Sequence, residues 1–146
     1  MNSEELLKLE NQLCFSIYAC SREITSLYRP LLNELGITYP QYLALMVLWE
    51  KQTCTIKELG ELLYLDSGTL TPMLKRMEDS GLVTRQRSKS DERVVFIELT
   101  EAGHKLKEKA ICIPETCIPH FNLSNEQYKQ LLQQMNQLIQ NLQRSL

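Results

Sequence analysis

The hydrophobic period of the chain changes after Gly81, and that change fixes most of what it can fold into. Up to Gly81 apolar residues recur in steps of three and four, the spacing of helices. LVTRQRS (82–88) and RVVFIELT (93–100) are instead β-rich runs on either side of the polar turn KSDE, which predicts a hairpin. Two short helical stretches come directly before it. IKELGELLY follows Thr55 as N-cap, with Glu58 three residues on completing a capping box. After a break at Tyr64–Ser67, GTLTPMLKRMEDS runs to Gly81, the expected C-terminal residue. Two short helices joined by a tight turn and followed at once by a charged hairpin describe a winged helix-turn-helix.

Helices flank this unit on both sides. From Glu4 to about Leu32 apolar residues fall at Leu6, Leu9, Leu13, Ile17, Cys20, Ile24, Leu27 and Leu31, one stripe on one long helix. Pro30 sits near its end, where it is expected to kink or stop the helix. Gly36 punctuates, and Thr38-Tyr39-Pro40 opens a second helix through YLALMVLWE, apolar on most faces and the expected core. Beyond the hairpin, Thr100 caps EAGHKLKEKAICI, which meets Pro114 and Pro119. Ser124 with Gln127 caps the last helix, striped by Tyr128, Leu131, Leu132, Met135, Leu138, Ile139 and Leu142. The expected fold is mainly α with a small β-hairpin wing. It is a single domain over 1–146, with a winged helix at 37–100 between helical regions at 1–36 and 101–146.

Composition narrows the function classes. The net charge of −2 gives no global attraction to nucleic acid, so that case rests on local charge. The segment from Arg85 to Arg93 supplies it: Arg85, Arg87, Lys89 and Arg93 stand against Asp91 and Glu92. An arginine-tipped hairpin suits the negative potential of a narrow minor groove. The helix before it opens with Ser67, Thr69 and Thr71, small hydroxyl residues suited to base edges and phosphates, with Lys75 and Arg76 about two turns later. Its Pro72 is tolerable within the first turn or so.

The acidic start MNSEELLKLE is unlike a signal peptide, and no apolar run approaches the ~18 residues of a membrane span, so a cytoplasmic protein without membrane partners is expected. Five cysteines, at 14, 20, 54, 112 and 117, form no CxxC and are odd in number, which predicts thiols in a reducing compartment. Cys112, Cys117, His104 and His120 have loosely zinc-like spacing, but two prolines interrupt them; neither a metal nor a cofactor is expected.

YPQYLALMVLWE, YLDSGTLTPMLKRMEDSGLVTRQRS and DERVVFIELTEAG resemble the MarR family of transcriptional regulators. With LENQLCF near the N-terminus, the chain is similar to the organic-hydroperoxide-sensing OhrR branch of that family, over nearly its whole length and most weakly from Ile113 onward. The resemblance implies a non-enzymatic homodimeric repressor on a pseudo-palindromic double-stranded operator, with the first and the last two helices forming the dimer interface. It places Asp66, Ser67, Thr69 and Thr71 on the reading helix with Lys75 and Arg76 behind them. Arg93 becomes the wing arginine and Asp91 the acidic residue that braces it. It makes Cys14 the thiol that an organic hydroperoxide oxidises, supported by hydrogen bonds from Tyr28 and Tyr39. Tyr18 either lines that site or packs at the interface.

Spacing adds a constraint of its own. Cys14 and Tyr28 are fourteen positions apart, roughly 21 Å along one helix. A Tyr28 that touches Cys14 must therefore come from a second chain. Cys20 is about 9 Å along the helix from Cys14, whereas a disulfide needs Cα atoms within about 7 Å, so that pair cannot bridge unless the helix breaks. In two-cysteine members of the branch a late cysteine of the opposite subunit resolves the oxidised thiol; Cys117 matches it by spacing, with Cys112 as the alternative. One-cysteine members use a low-molecular-weight thiol instead. Cys54, beside a helix start, reads as structural. Two rivals stand beside this reading: a MarR-type regulator relieved by a small aromatic ligand, with Cys14 merely packing, and a thiol peroxidase, which leaves wing and reading helix without a purpose.

Overall fold

The computed structural model describes residues 2–145. They form two compact units that divide between Ile113 and Pro114. The first contains α1 (Ser3–Leu6), α2 (Leu13–Glu34), α3 (Tyr39–Lys51), β1 (Thr53–Thr55), α4 (Ile56–Leu63), α5 (Ser67–Asp79), β2 (Val83–Arg87), β3 (Val95–Leu99) and α6 (Glu101–Ala110). α7 (Cys112–Cys117) spans the division, and α8 (Asn125–Ser145) belongs to the second unit.

The N-terminal helix departs from expectation. Its stripe is continuous in sequence, yet the backbone breaks between Leu6 and Leu13, passing through a short 3-10 turn at Leu9–Asn11. Side chains after the break close the end of α1: Asn11 Nδ2 donates to the Glu5 carbonyl at 2.9 Å and Gln12 Nε2 to that of Leu6. These amides satisfy carbonyls that a helix end leaves orphaned. Pro30 neither stops nor ends α2, which runs four residues past it.

α3 begins at a capping box in which Thr38 and Gln41 exchange side-chain-to-backbone bonds. Its Tyr42, Ala44, Leu45 and Leu48 are buried. With Leu59, Leu70, Leu74, Met77, Val83 and Ile97 they make the core of the first unit. Each such aliphatic side chain contributes roughly 1.5–3 kcal/mol by leaving water. The hairpin forms as expected, but the sheet has three strands, in the order β1-β3-β2 and antiparallel throughout. The extra strand, Thr-Cys-Thr, pairs Cys54 with Ile97 and leads into α4 through the Thr55–Glu58 capping box.

The turn between α4 and α5 is tight because Gly60 permits it. A Cβ there would lie 2.6 Å from the Leu65 carbonyl oxygen and 3.3 Å from Leu70 Cδ1. The chain reverses through Tyr64 in the left-handed region (φ 55°), and Leu65 N donates back to the Gly60 carbonyl. Asp66 then caps α5 rather than lying on it, accepting the Thr69 N–H at 2.7 Å.

α6 also ends earlier than expected, at Ala110 rather than running on through Ile113, and α7 begins separately at Cys112. In the second unit α8 starts at a reciprocal pair: Ser124 N donates to Gln127 Oε1 at 2.9 Å and Gln127 N to Ser124 Oγ at 3.2 Å. Phe121 stacks on Tyr128. The α8 stripe leaves Leu131, Leu132 and Leu142 exposed. Among the described residues no helix is long and apolar enough to cross a membrane.

Candidate nucleic-acid interface and thiol site

α5 divides cleanly into two faces. Leu70, Met73, Leu74 and Met77 are buried, while Ser67, Thr69, Thr71, Lys75 and Arg76 are exposed. The three hydroxyl residues occupy the first turn and a half, and the two cations follow on the solvent side. The Asp66 carboxyl is held below the ordinary carboxylate range, chiefly because it accepts the Thr69 backbone N–H. That bond fixes the direction in which the helix start emerges from the turn.

The wing is a braced loop. Ser88 N donates to the Val94 carbonyl at 2.8 Å and Val94 N to that of Asp91 at 3.0 Å, closing its base. Arg87 Nη1 donates to the Glu92 carbonyl at 2.9 Å across the tip. Asp91 accepts from the Arg93 backbone N–H at 3.1 Å and from Arg93 Nε at 3.2 Å. The Arg93 side chain is 92% exposed, so this ion pair adds little stability and orients the guanidinium instead. Lys89 is exposed at the tip. Arg85 is different: it is half-buried and bound to Glu78 of α5 through both Nε and the backbone N–H.

The thiols separate by environment. Cys14 is the second residue of α2 and exposed. The break before α2 therefore moves it from the expected helix interior to the first turn of a helix. The signal for this was Glu10-Asn11-Gln12, a polar run whose amides suit a helix boundary. Phe15 and Ile17 are exposed beside it, and the Arg22 guanidinium lies 5.5 Å above the exposed Tyr18 ring.

Tyr28 and Tyr39 meet edge to face at 5.4 Å, and Tyr42 lies 6.2 Å from each. Tyr28 is buried and Tyr39 half-buried. One chain thus brings the two tyrosines together but not to its own Cys14, because Cys14 and Tyr28 stand fourteen residues apart on one unbroken helix. Cys20 is exposed on the same helix, six residues from Cys14. Cys54 is buried, and its thiol is pushed up first by desolvation and then by Glu58. Cys112 is exposed at the start of α7 and its Sγ donates to the Lys109 carbonyl. Cys117, at the other end of α7, is buried, which pushes its thiol up. Among the described residues no group of three or more His, Cys, Asp or Glu side chains is placed to hold a metal ion.

Residues 26–110 match the model of the transcriptional regulator SarA/Rot family. Over 97% of this chain and 96% of the relative, the sequence is 59% identical to the organic hydroperoxide resistance transcriptional regulator of Bacillus subtilis. Among solved structures, reduced AbfR bound to DNA superposes with a TM-score of 0.81 at 40% identity, covering 97% of this chain and 99% of that one. The disulfide-formed structure of AbfR, a Staphylococcus epidermidis protein, superposes with a TM-score of 0.64 at the same identity, over 97% of this chain and 94% of that one.

Proposed function

This chain belongs to the MarR family of winged-helix transcriptional regulators, and from that premise we propose that it is a homodimeric repressor released from its operator when an organic hydroperoxide oxidises Cys14. The observation that carries the reading is the placement of Cys14. It is an exposed thiol on the first turn of a helix, with apolar Phe15 and Ile17 beside it, in a chain so similar to a hydroperoxide-resistance regulator.

In the DNA-bound state the first turns of α5 enter successive major grooves, presenting Ser67, Thr69 and Thr71. Lys75 and Arg76 hold the backbone, while Arg87, Lys89 and Arg93 reach the minor groove from the wing. The exposed apolar residues of α2 and α8 are covered by the second subunit. That subunit also supplies Tyr28 and Tyr39 to Cys14, since its own chain cannot.

The chemistry balances without a cofactor. The Cys14 thiolate attacks the peroxide; an S–O bond forms, the O–O bond breaks, and the organic fragment leaves as its alcohol after taking a proton. Sulfur is oxidised by two electrons to the sulfenic acid. A second thiol then attacks that sulfur, an S–S bond forms, and the hydroxyl leaves as water. Cys117 of the opposite subunit takes this role, which requires it to leave its buried position. The exposure of Cys112 favours it as a second choice, with a low-molecular-weight thiol as the third route. A covalent link between the terminal helical regions shifts the spacing of the two reading helices, a two-state switch driven by a bond.

Comparing wild type with Cys14→Ser on a labelled duplex from the promoter of the protein's own gene tests the reading. Both are expected to bind when reduced, and only wild type is expected to let go on adding cumene hydroperoxide. Release of both by a phenolic ligand, with peroxide inert, supports the small-ligand rival instead.

A further inference from the structure

We propose that Arg85 and Glu78 form a strut that sets the angle of the wing against the reading helix, so that Arg85 acts on DNA affinity without touching DNA. The inference rests on the DNA-binding reading above and refines it.

The strand register places Arg85 on the inward face. In β2 the residues Val83, Arg85 and Arg87 share one side, and Val83 and Arg85 pair with Leu99 and Ile97 of β3, both buried. Thr84 and Gln86 point the other way and are exposed. At Arg85 this side faces α5, whereas Arg87, nearer the tip, is exposed and bonds the Glu92 carbonyl. Glu78, on the last turn of α5, meets it there. Its Oε2 accepts the Arg85 backbone N–H at 2.8 Å and its Oε1 accepts Arg85 Nε at 3.2 Å. Both carboxylate oxygens thus hold one residue, once through its main chain and once through its side chain.

The side chains are only 25% and 35% exposed, unlike the Asp91–Arg93 pair at the tip. The α5–β2 connection is otherwise short: Gly81 stands in the left-handed region (φ 77°) and Leu82 N donates to the Met77 carbonyl. A turn fixes where the strand starts; the two-pronged grip at Arg85 fixes where it points. Because reading helix and wing must enter adjacent grooves together, a wing free to pivot loses affinity at both.

Salt dependence separates a strut from a phosphate contact. An arginine that neutralises a phosphate contributes about 0.9 to the slope of log affinity against log salt. A strut contributes to affinity and nothing to that slope. The experiment measures binding of full-length wild type, Glu78→Ala, Glu78→Gln, Arg85→Ala and the Glu78→Ala/Arg85→Ala double variant to the promoter duplex over a range of salt. Thermal unfolding of each variant confirms that it is folded at the temperature used.

Glu78→Ala and Arg85→Ala are each expected to weaken binding by roughly fivefold, with wild-type slope, and the double variant by no more than the worse single. Glu78→Gln, which keeps an oxygen for the Arg85 N–H, is expected to fall between, and it carries the test if the alanine variants unfold. Arg85→Ala that lowers the slope by about one phosphate's worth, with both Glu78 variants binding as wild type, overturns the inference. Variants that all match a DNA-binding wild type overturn it as well. A folded wild type that binds no duplex even at low salt brings down the DNA reading and this inference with it.

Discussion

Cys14 and Tyr28 lie on one continuous helix, Leu13–Glu34, fourteen positions apart and therefore separated by about 21 Å of rise. No rotamer of either side chain closes that gap, so a Cys14 supported by Tyr28 exists only across two chains. Mixed dimers expose the difference. A dimer of Cys14→Ser and Tyr28→Phe chains is expected to retain one site that reacts at the wild-type rate. A dimer of wild type with a chain carrying both changes is expected to retain none. Equal reactivity in the two dimers contradicts the arrangement.

In the proposed dimer site, Tyr28→Phe in both chains would remove the hydroxyl that Tyr28 offers to Cys14 while keeping the edge-to-face packing on Tyr39. Stopped-flow oxidation by cumene hydroperoxide is expected to slow by roughly tenfold, while reduced protein binds DNA as before. An unchanged rate returns Tyr28 to a packing role.

Alkylation ranks the five thiols. Under native, reduced conditions Cys54 and Cys117 are expected to label last, since both are buried and burial raises both thiols above their ordinary range. Mass spectrometry of iodoacetamide-treated protein reads the order directly. Early labelling of Cys117 would show that α7 opens without oxidation.

Much of this was legible in the sequence, and the misses share causes. The caps at Thr55, Thr100 and Ser124 were readable because a hydroxyl and, in two of them, its acidic or amide partner stand three residues apart, a local pattern that packing does not override. The break before Cys14 was hidden because Leu6, Leu9 and Leu13 keep helical spacing across it, and a stripe reports burial rather than backbone continuity. Thr53–Thr55 is too short for a period, and it is a strand only because β3 offers it a free edge. Asp66 was assigned to the reading helix although aspartate before Ser-Gly is a capping signal. The strut at Arg85 could not be read from composition: counting cations treats Arg85 and Arg93 alike, and only the fold, which sets Arg85 on β2 against Glu78 and Arg93 in the exposed loop, separates them.

Gly60 lets the reading helix approach its partner. Gly60→Ala places a Cβ against the Leu65 main-chain oxygen, which cannot yield without moving the turn. Stability is expected to fall by about 1–3 kcal/mol in chemical denaturation, with weaker DNA binding by the folded fraction. A midpoint equal to wild type contradicts the crowding.

Asp66 gives the reading helix an acid-sensitive start. Its folded pKa lies below the unfolded one, so its contribution is complete above the ordinary aspartate range near 3.9 and is lost as pH falls through the folded value. The Tm of wild type is expected to exceed that of Asp66→Ala at neutral pH, and the gap to close in acid. A gap that persists at full size in strong acid would contradict the charged cap.

The most direct test of redox-switched DNA binding is one anisotropy titration on the promoter duplex at fixed salt, since affinity depends on salt. Reduced wild type is added first, then cumene hydroperoxide, then dithiothreitol. Tight binding that hydroperoxide abolishes and dithiothreitol restores is the predicted result. Binding that persists after the Cys14 thiol has been consumed would contradict the account, leaving a winged-helix regulator whose thiol is not its switch.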